Sequence, residues 1–244
     1  MSVTNPSAGG SLVPLSDEKA ALEILTRSLF GLWDTVNTLT RLRPTKRDTY
    51  RVTIFGSARV ESTHWVYTAV RDTAAELTRL GCDIVTGGGP GLMQAANEGV
   101  KLADPDGKLQ KSMGIRIDLP FEQDVNAFVT EAFEHKTFFT RLHHFVLVSD
   151  AFVVTPGGIG TVLETLMVWQ LLQVRHLRDT PLILAGHFWD GLLDWAKAAM
   201  LRPDGPLISP EDLKIPQIVP DGPSIVGIIR EHHARWKARK GQPA

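Results

Sequence analysis

The stretch Ala151-Phe152-Val153-Val154-Thr155-Pro156-Gly157-Gly158-Ile159-Gly160-Thr161-Val162-Leu163-Glu164 runs from a short apolar, β-branched tract through a glycine-rich turn into a helix. Ala151 to Thr155 has the length of a buried strand, and the apolar pattern from Val162 to Gln173 reads as the helix that follows. The same unit recurs upstream. Arg51 to Phe55 leads through Gly56-Ser57-Ala58-Arg59 toward a helix over Thr63 to Leu80, and Asp83 to Thr86 leads through Gly87-Gly88-Gly89-Pro90-Gly91 into a helix over Gly91 to Leu102. Ser112 to Ile117 and Pro181 to Ala185 read as further strands, Phe138 to Val148 as a further helix, and Ile215 to Val219 with Ser224 to Lys237 as a last edge strand and closing helix. Short apolar strands alternating with helices bury themselves between two helical layers. The expected class is therefore α/β, a Rossmann-like doubly wound parallel sheet with its ligand site at the strands' C-terminal ends.

Outside that series the chain changes character. Residues 1–15, rich in Ser, Gly and Pro, predict a disordered tail. Over residues 16–44, Ala20, Leu22, Leu25, Leu29, Leu32, Val36 and Leu39 step by three and four after a cap-like Ser16-Asp17-Glu18, which predicts an amphipathic helical extension ending near Arg43-Pro44. Residues 48–240 then form one α/β domain. With 244 residues, 43% hydrophobic, the chain is long enough for one substantial core. A formal charge of −1 offers no general attraction to nucleic acid or anionic lipid, and neither is an expected partner. One cysteine, Cys82, excludes an intramolecular disulfide framework; with no signal peptide or spanning segment evident, the expected location is the cytoplasm.

Three glycine-bearing turns, each between an apolar strand and a helix, would converge at one edge of the sheet. Glycine lets backbone approach a ligand closely, and the N–H groups opening the next helix make a phosphate or ribose site. The dinucleotide fingerprint fails, because Leu92 and Leu163 stand where a third small residue is needed, and no G-x-x-x-x-G-K-[ST] run occurs. A mononucleotide-sized ligand remains, with the Thr161 hydroxyl as an extra donor. Glu164 lies one turn into its helix, so its carboxylate can point back toward whatever that N-terminus holds, or simply offset the helix dipole. Arg141 stands within the apolar Phe138-Phe139-Thr140-Arg141-Leu142 helix start, and a surface arginine with a buried stem is an equally good local reading.

Together, Gly87-Gly88-Gly89-Pro90-Gly91-Leu92-Met93 and Pro156 through Glu164 resemble the Lonely guy (LOG) family, whose signature P-G-G-x-G-T-x-x-E the second run matches. The resemblance extends from about Tyr50 to Met200 and includes Phe55 to Arg59, Ile117 to Gln123 and Ser149 to Phe152. It implies a phosphoribohydrolase that splits the N-glycosidic bond of a purine nucleoside 5′-monophosphate, AMP or an N6-substituted cytokinin nucleotide, into free base and ribose 5-phosphate without a cofactor. The family's catalytic pair falls on Arg141 and Glu164; Leu142 replaces the lysine that usually follows the arginine. On this reading Gly157, Gly158, Gly160 and Thr161 hold phosphate, Ser57, Gly88 and Gly89 contact phosphate or ribose, and Met93 and Glu122 border the base. Glu164 would stabilise positive charge developing at C1′ or orient water, while Arg141, always protonated, fixes a hydroxyl, phosphate or leaving base.

The alternative is a non-catalytic carrier of the same fold for a nucleotide or molybdenum-cofactor-type ligand, which would have no use for a carboxylate beside C1′. A homodimer built on the Glu164 helix is expected from its broad apolar surface, which includes Trp169 and Leu172, and from the family's habit. Adjacent His143-His144 and His232-His233 diverge by about 100° on a helix and predict no metal site. Members often carry a lysine decarboxylase label, which needs a Schiff-base lysine; none lies within the glycine motifs, and Lys136 is the nearest to Arg141.

Overall fold

The computed structural model describes residues 17–39, 48–118 and 125–240. The tail expected over residues 1–15 lies outside them. Helix α1, Glu18–Leu39, opens on Asp17, whose Oδ1 accepts from the Ala20 amide at 3.1 Å. It belongs to one compact unit, Met1–Lys46, and the α/β body to a second, Arg47–Ala244.

The body runs β1 (Tyr50–Phe55), α2 (Trp65–Arg79), β2 (Cys82–Thr86), α3 (Leu92–Ala103), β3 (Ser112–Ile117), β4 (Glu131–His135), α4 (Phe138–Val148), β5 (Ala151–Val154), α5 (Ile159–Gln173), β6 (Leu182–Ala185), α6 (Asp190–Met200), β7 (Pro216–Val219) and α7 (Gly222–Lys240). All strand pairings among the described residues are parallel, in the order β4-β3-β2-β1-β5-β6-β7. This is the expected Rossmann-like, doubly wound α/β architecture. Because successive strand residues face opposite ways, Tyr50, Val52, Ile54, Ile84, Val153 and Ile183 join a core with α2, α3 and α7. Their neighbours Phe55, Val85, Ile115, Phe152, Val154 and Leu184 join a second core with α4 and α5. Strands apolar on both faces are what such burial demands.

Three departures from the expected elements have local causes. Strand β4 is one that the sequence did not predict: Glu131, Glu134 and His135 interrupt its apolar character, and it is an edge strand bonded on one side by β3. A helical turn at His187–Trp189 and helix α6 occupy a region with no expected element, anchored by fully buried Trp189 and by Leu192 packed on the second core. Helix α5 begins at Ile159 rather than Val162, which brings Gly160 and Thr161 inside its first turn. No helix among the described residues is long and apolar enough to cross a membrane.

Candidate functional site

Strands β2 to β4 extend to one side of β1 and β5 to β7 to the other, so the chain reverses direction between β1 and β5. At such a switch point the loops leaving adjacent strands part and a crevice opens at the carboxyl ends. Ser57 joins all three glycine turns there. Its amide donates to the Pro156 carbonyl at 3.1 Å, its carbonyl accepts from the Leu92 amide at 2.8 Å, and its hydroxyl accepts from the Arg59 amide at 3.1 Å. The approach is tight: a Cβ on Gly91, whose φ is +68°, would collide with the Ser57 carbonyl oxygen.

Gly158 and Gly160 are different, for a Cβ on either would meet nothing within 4 Å. The fold itself therefore does not require glycine at these positions; open backbone facing the crevice suits a ligand drawn close. Gly158 is the N-cap of α5, no side chain caps the helix, and its carbonyl accepts from the Val162 amide at 3.0 Å. The amides of Ile159, Gly160 and Thr161 thus precede the hydrogen-bonded ladder, carrying the positive end of the helix dipole. Thr161 is buried with its hydroxyl over Gly157, where it fills the place a Cβ on that glycine would need. Gly160→Ala is expected to leave thermal stability equal or higher, since alanine gains up to about 1 kcal/mol in a helix. If a phosphate docks on these amides, the same variant should weaken binding of a phosphate-bearing ligand about tenfold or more by calorimetry.

Arg141, in the first turns of α4, reaches across the crevice. Its Nε donates to the Ile115 carbonyl at 2.8 Å, Nη1 lies 3.4 Å from Glu164 Oε1, and the guanidinium carbon stands 5.3 Å from the Phe145 ring centre. The side chains of Arg141 and Glu164 are only 11% and 12% exposed, so neither is the solvated surface charge that local sequence also allowed. Burial pushes the Glu164 carboxyl up to about 7, and the Arg141 charge opposes that rise. A carboxyl poised near neutrality exchanges a proton readily at working pH.

Two adjoining cavities of about 490 Å³ each fill the crevice and share Ala58, Arg59, Met93 and Arg141, a size that suits a small ligand. One holds Gly158, Gly160, Thr161 and Glu164. The other is bounded by Gly87, Gly88, Gly89 and Pro90, with Arg116 and Val125. A larger cavity of about 590 Å³ between α2, β6 and α7 is walled mainly by hydrocarbon such as Val66, Val70 and Phe188 and contains neither Arg141 nor Glu164. Size alone therefore does not choose the site; convergent polar groups do.

The crevice thus gathers Ser57, Gly88, Gly89, Met93, Arg141, Gly158, Gly160, Thr161 and Glu164, with Gly157 beneath Thr161. Glu122 lies outside the described residues. Sequence reasoning missed four residues. Arg59 and Arg116 line the glycine-loop side. Asn126 braces the loop, its side-chain amide donating to the Gly88 and Gly89 carbonyls at 3.1 and 2.9 Å and to Asn97 Oδ1 at 3.0 Å. Asn97 in turn accepts from Thr86 Oγ1 and donates to Ser112 Oγ, both at 2.8 Å. A buried asparagine among the apolar residues of α3 and an arginine in a strand were the available signals.

The remaining candidates serve packing. His144 Nδ1 and His135 Nε2 are 2.9 Å apart, and burial beside other cations holds His144 down to about 4. His232 pairs with the Tyr50 hydroxyl at 2.5 Å and the Asp179 carbonyl at 2.9 Å. Among the described residues no group of three or more His, Cys, Asp or Glu side chains is placed to hold a metal. Trp169 donates to the Asp212 carbonyl at 2.8 Å and, with Leu172, packs on the second core. No lysine is among the described residues lining either crevice cavity, and Lys136 is exposed. A Schiff-base cofactor therefore finds no anchoring amine there.

Fold and crevice define a doubly wound α/β protein with a phosphate-suited switch-point site. The family model described as "possible lysine decarboxylase" matches residues 93–228, over half of the chain, and the chain belongs to that family, the LOG-type domain. No curated protein matches. Among solved structures, TM1055, a structural-genomics target, is similar at 21% identity, covering 75% of this chain and 99% of that one with a TM-score of 0.52. The molybdenum cofactor binding protein from the phototrophic bacterium Rippkaea orientalis is similar at 18% identity, covering 76% and 98%, TM-score 0.55. The molybdenum cofactor carrier protein from Chlamydomonas reinhardtii is similar at 14% identity, covering 76% and 99%, TM-score 0.54. At these identities the likeness concerns the fold.

Proposed function

We propose that the protein hydrolyses the N-glycosidic bond of a purine nucleoside 5′-monophosphate, releasing free base and ribose 5-phosphate. The observation that carries this reading is the buried Glu164 carboxyl, held 3.4 Å from Arg141 one turn beyond the uncapped α5 N-terminus. Phosphate on the amides of Ile159, Gly160 and Thr161, with the Thr161 hydroxyl, would set the sugar over that carboxylate. As the C1′–N9 bond breaks, its electron pair leaves with the base, which takes up a proton, and C1′ becomes cationic. Glu164 stabilises that charge and accepts a proton from the water whose oxygen bonds to C1′, and that proton then passes through solvent to balance the one the base takes up. Arg141 fixes the carboxylate and the substrate through charge-assisted hydrogen bonds. Water is the sole co-reactant.

The second reading, a carrier of a phosphorylated cofactor, is favoured by the molybdenum-cofactor proteins that share this fold. It needs the phosphate-holding turns but not a carboxylate held near neutrality. Incubation with AMP and with N6-isopentenyl-AMP separates the two: free base and ribose 5-phosphate in equal amounts support hydrolysis, whereas both nucleotides recovered intact contradict it. Turnover of N6-isopentenyl-AMP but not AMP would place the activity in the cytokinin branch.

Helix α5 also exposes Ile159, Leu163 and Leu166, and a helix apolar on all sides suits burial on both. A homodimer through this face follows as part of the proposal. Ile159→Asp with Leu163→Asp should halve the mass measured by light scattering; an unchanged mass would remove α5 from the interface.

A further inference from the structure

The glycine-loop half of the crevice carries more positive charge than one 5′-phosphate uses. Arg59, Arg116 and Arg141 all line that cavity, and no acidic side chain is among its described lining residues. Arg141 is engaged by Glu164 and the Ile115 carbonyl. Arg116 is held more loosely. Its side chain is 20% exposed, its Nε is buried with no hydrogen-bond acceptor among the described residues, and its ion pair to Glu134 Oε2 is 3.6 Å long, to a half-exposed side chain. Arg59 is exposed at the junction of the two cavities. Helix α3, opening beside them at Gly91, has no side-chain cap, which adds the positive end of a second helix dipole.

A neutral adenine or a prenyl chain would offer Arg59 and the loosely paired Arg116 no anion in a partly enclosed space, and guanidinium is built to grip carboxylate or phosphate with two parallel hydrogen bonds. Taking the nucleotide reading above as its basis, we infer that this half of the crevice is a second anion subsite formed by Arg59 and Arg116. The ligand is then a nucleoside 5′-phosphate bearing a further acidic group, phosphate or carboxylate, on its ribose or its base. Met93, Pro90 and Val125 supply the apolar surface that such a ligand's ring would cover.

Calorimetric binding to Glu164→Gln protein, which prevents turnover, tests the inference with four probes: AMP, adenosine 3′,5′-bisphosphate, N6-(1,2-dicarboxyethyl)-AMP and N6-isopentenyl-AMP. At least one doubly anionic probe should bind about tenfold tighter than AMP at low ionic strength, and the advantage should shrink in about 0.3 M salt. Gain with the bisphosphate places the second group on the ribose; gain with the dicarboxyethyl compound places it on the base. Adding Arg116→Gln should bring the affinity ratio close to one, while Arg116→Lys, which keeps the charge, should retain part of it. The inference is overturned if AMP or its isopentenyl derivative binds as tightly as both doubly anionic probes, or if the ratio survives Arg116→Gln and Arg59→Gln together. Failure of every probe to bind, AMP included, would instead overturn the nucleotide reading beneath it.

Discussion

Glu164→Gln is expected to lower base release about a thousandfold while AMP binding persists and the fold becomes more stable at alkaline pH. The two effects share one cause. A carboxylate sealed beside Arg141 is electrostatically unfavourable in the empty protein, which is why burial raises its pKa to about 7 from an ordinary value of 4.5. The folded state therefore holds the Glu164 proton to higher pH than the unfolded chain does. The stability this group contributes is fully present below about pH 4.5 and is lost as pH rises through about 7. Glutamine does not titrate, so the variant avoids that loss. Its advantage should be absent near pH 4.5, grow through neutrality and level off above pH 7 at about 3 kcal/mol. Paired melting curves at acid and alkaline pH measure it. A variant melting below wild type at alkaline pH would show that the carboxylate is not under the strain inferred from its burial. Retained base release would remove Glu164 from the chemistry.

Arg141→Met should lower turnover about a hundredfold and shift the pH profile in a defined direction. Arg141 is the cation that holds the Glu164 pKa down against desolvation, so its removal raises that pKa further. With Glu164 acting as carboxylate in the proposed hydrolysis, kcat/KM of the wild type should rise with pH through about 7. In the methionine variant the acid limb moves to higher pH, and part of the lost rate returns as pH is raised. Arg141→Lys keeps the charge and should leave the limb near its wild-type position. It cannot keep both the Nε bond to the Ile115 carbonyl and the contact to Glu164, so its rate falls nonetheless. An unshifted limb in the methionine variant would mean that another group sets the pH dependence.

The fold was legible wherever a strand is apolar on both faces, as in Ala151–Val154, and stands before a glycine turn. Such runs lie in the centre of the sheet, where burial leaves little choice of residue. Edge strand β4 was not legible, because one side of it escapes pairing and it tolerates Glu131 and Glu134. Helix α5 starts earlier than its apolar pattern predicts because glycine is a poor helix former in isolation, yet Gly160 is held in the first turn, where its open backbone faces the crevice. For the site, Glu164 could be located because it is fixed relative to Thr161 by the pitch of one helix. Arg116, Asn97 and Asn126 could not, since their importance depends on β3, α3 and the segment before β4 meeting at the Gly87–Gly89 loop.

A crystal structure of Glu164→Gln protein with AMP tests most directly whether phosphate, sugar and carboxylate meet as proposed. The expected result is the 5′-phosphate on the amides of Ile159, Gly160 and Thr161, with the substituted side chain at position 164 turned toward C1′ and the base toward the Gly87–Gly89 loop. A phosphate bound elsewhere, or a side chain at that position turned away from the sugar, would contradict the proposed chemistry.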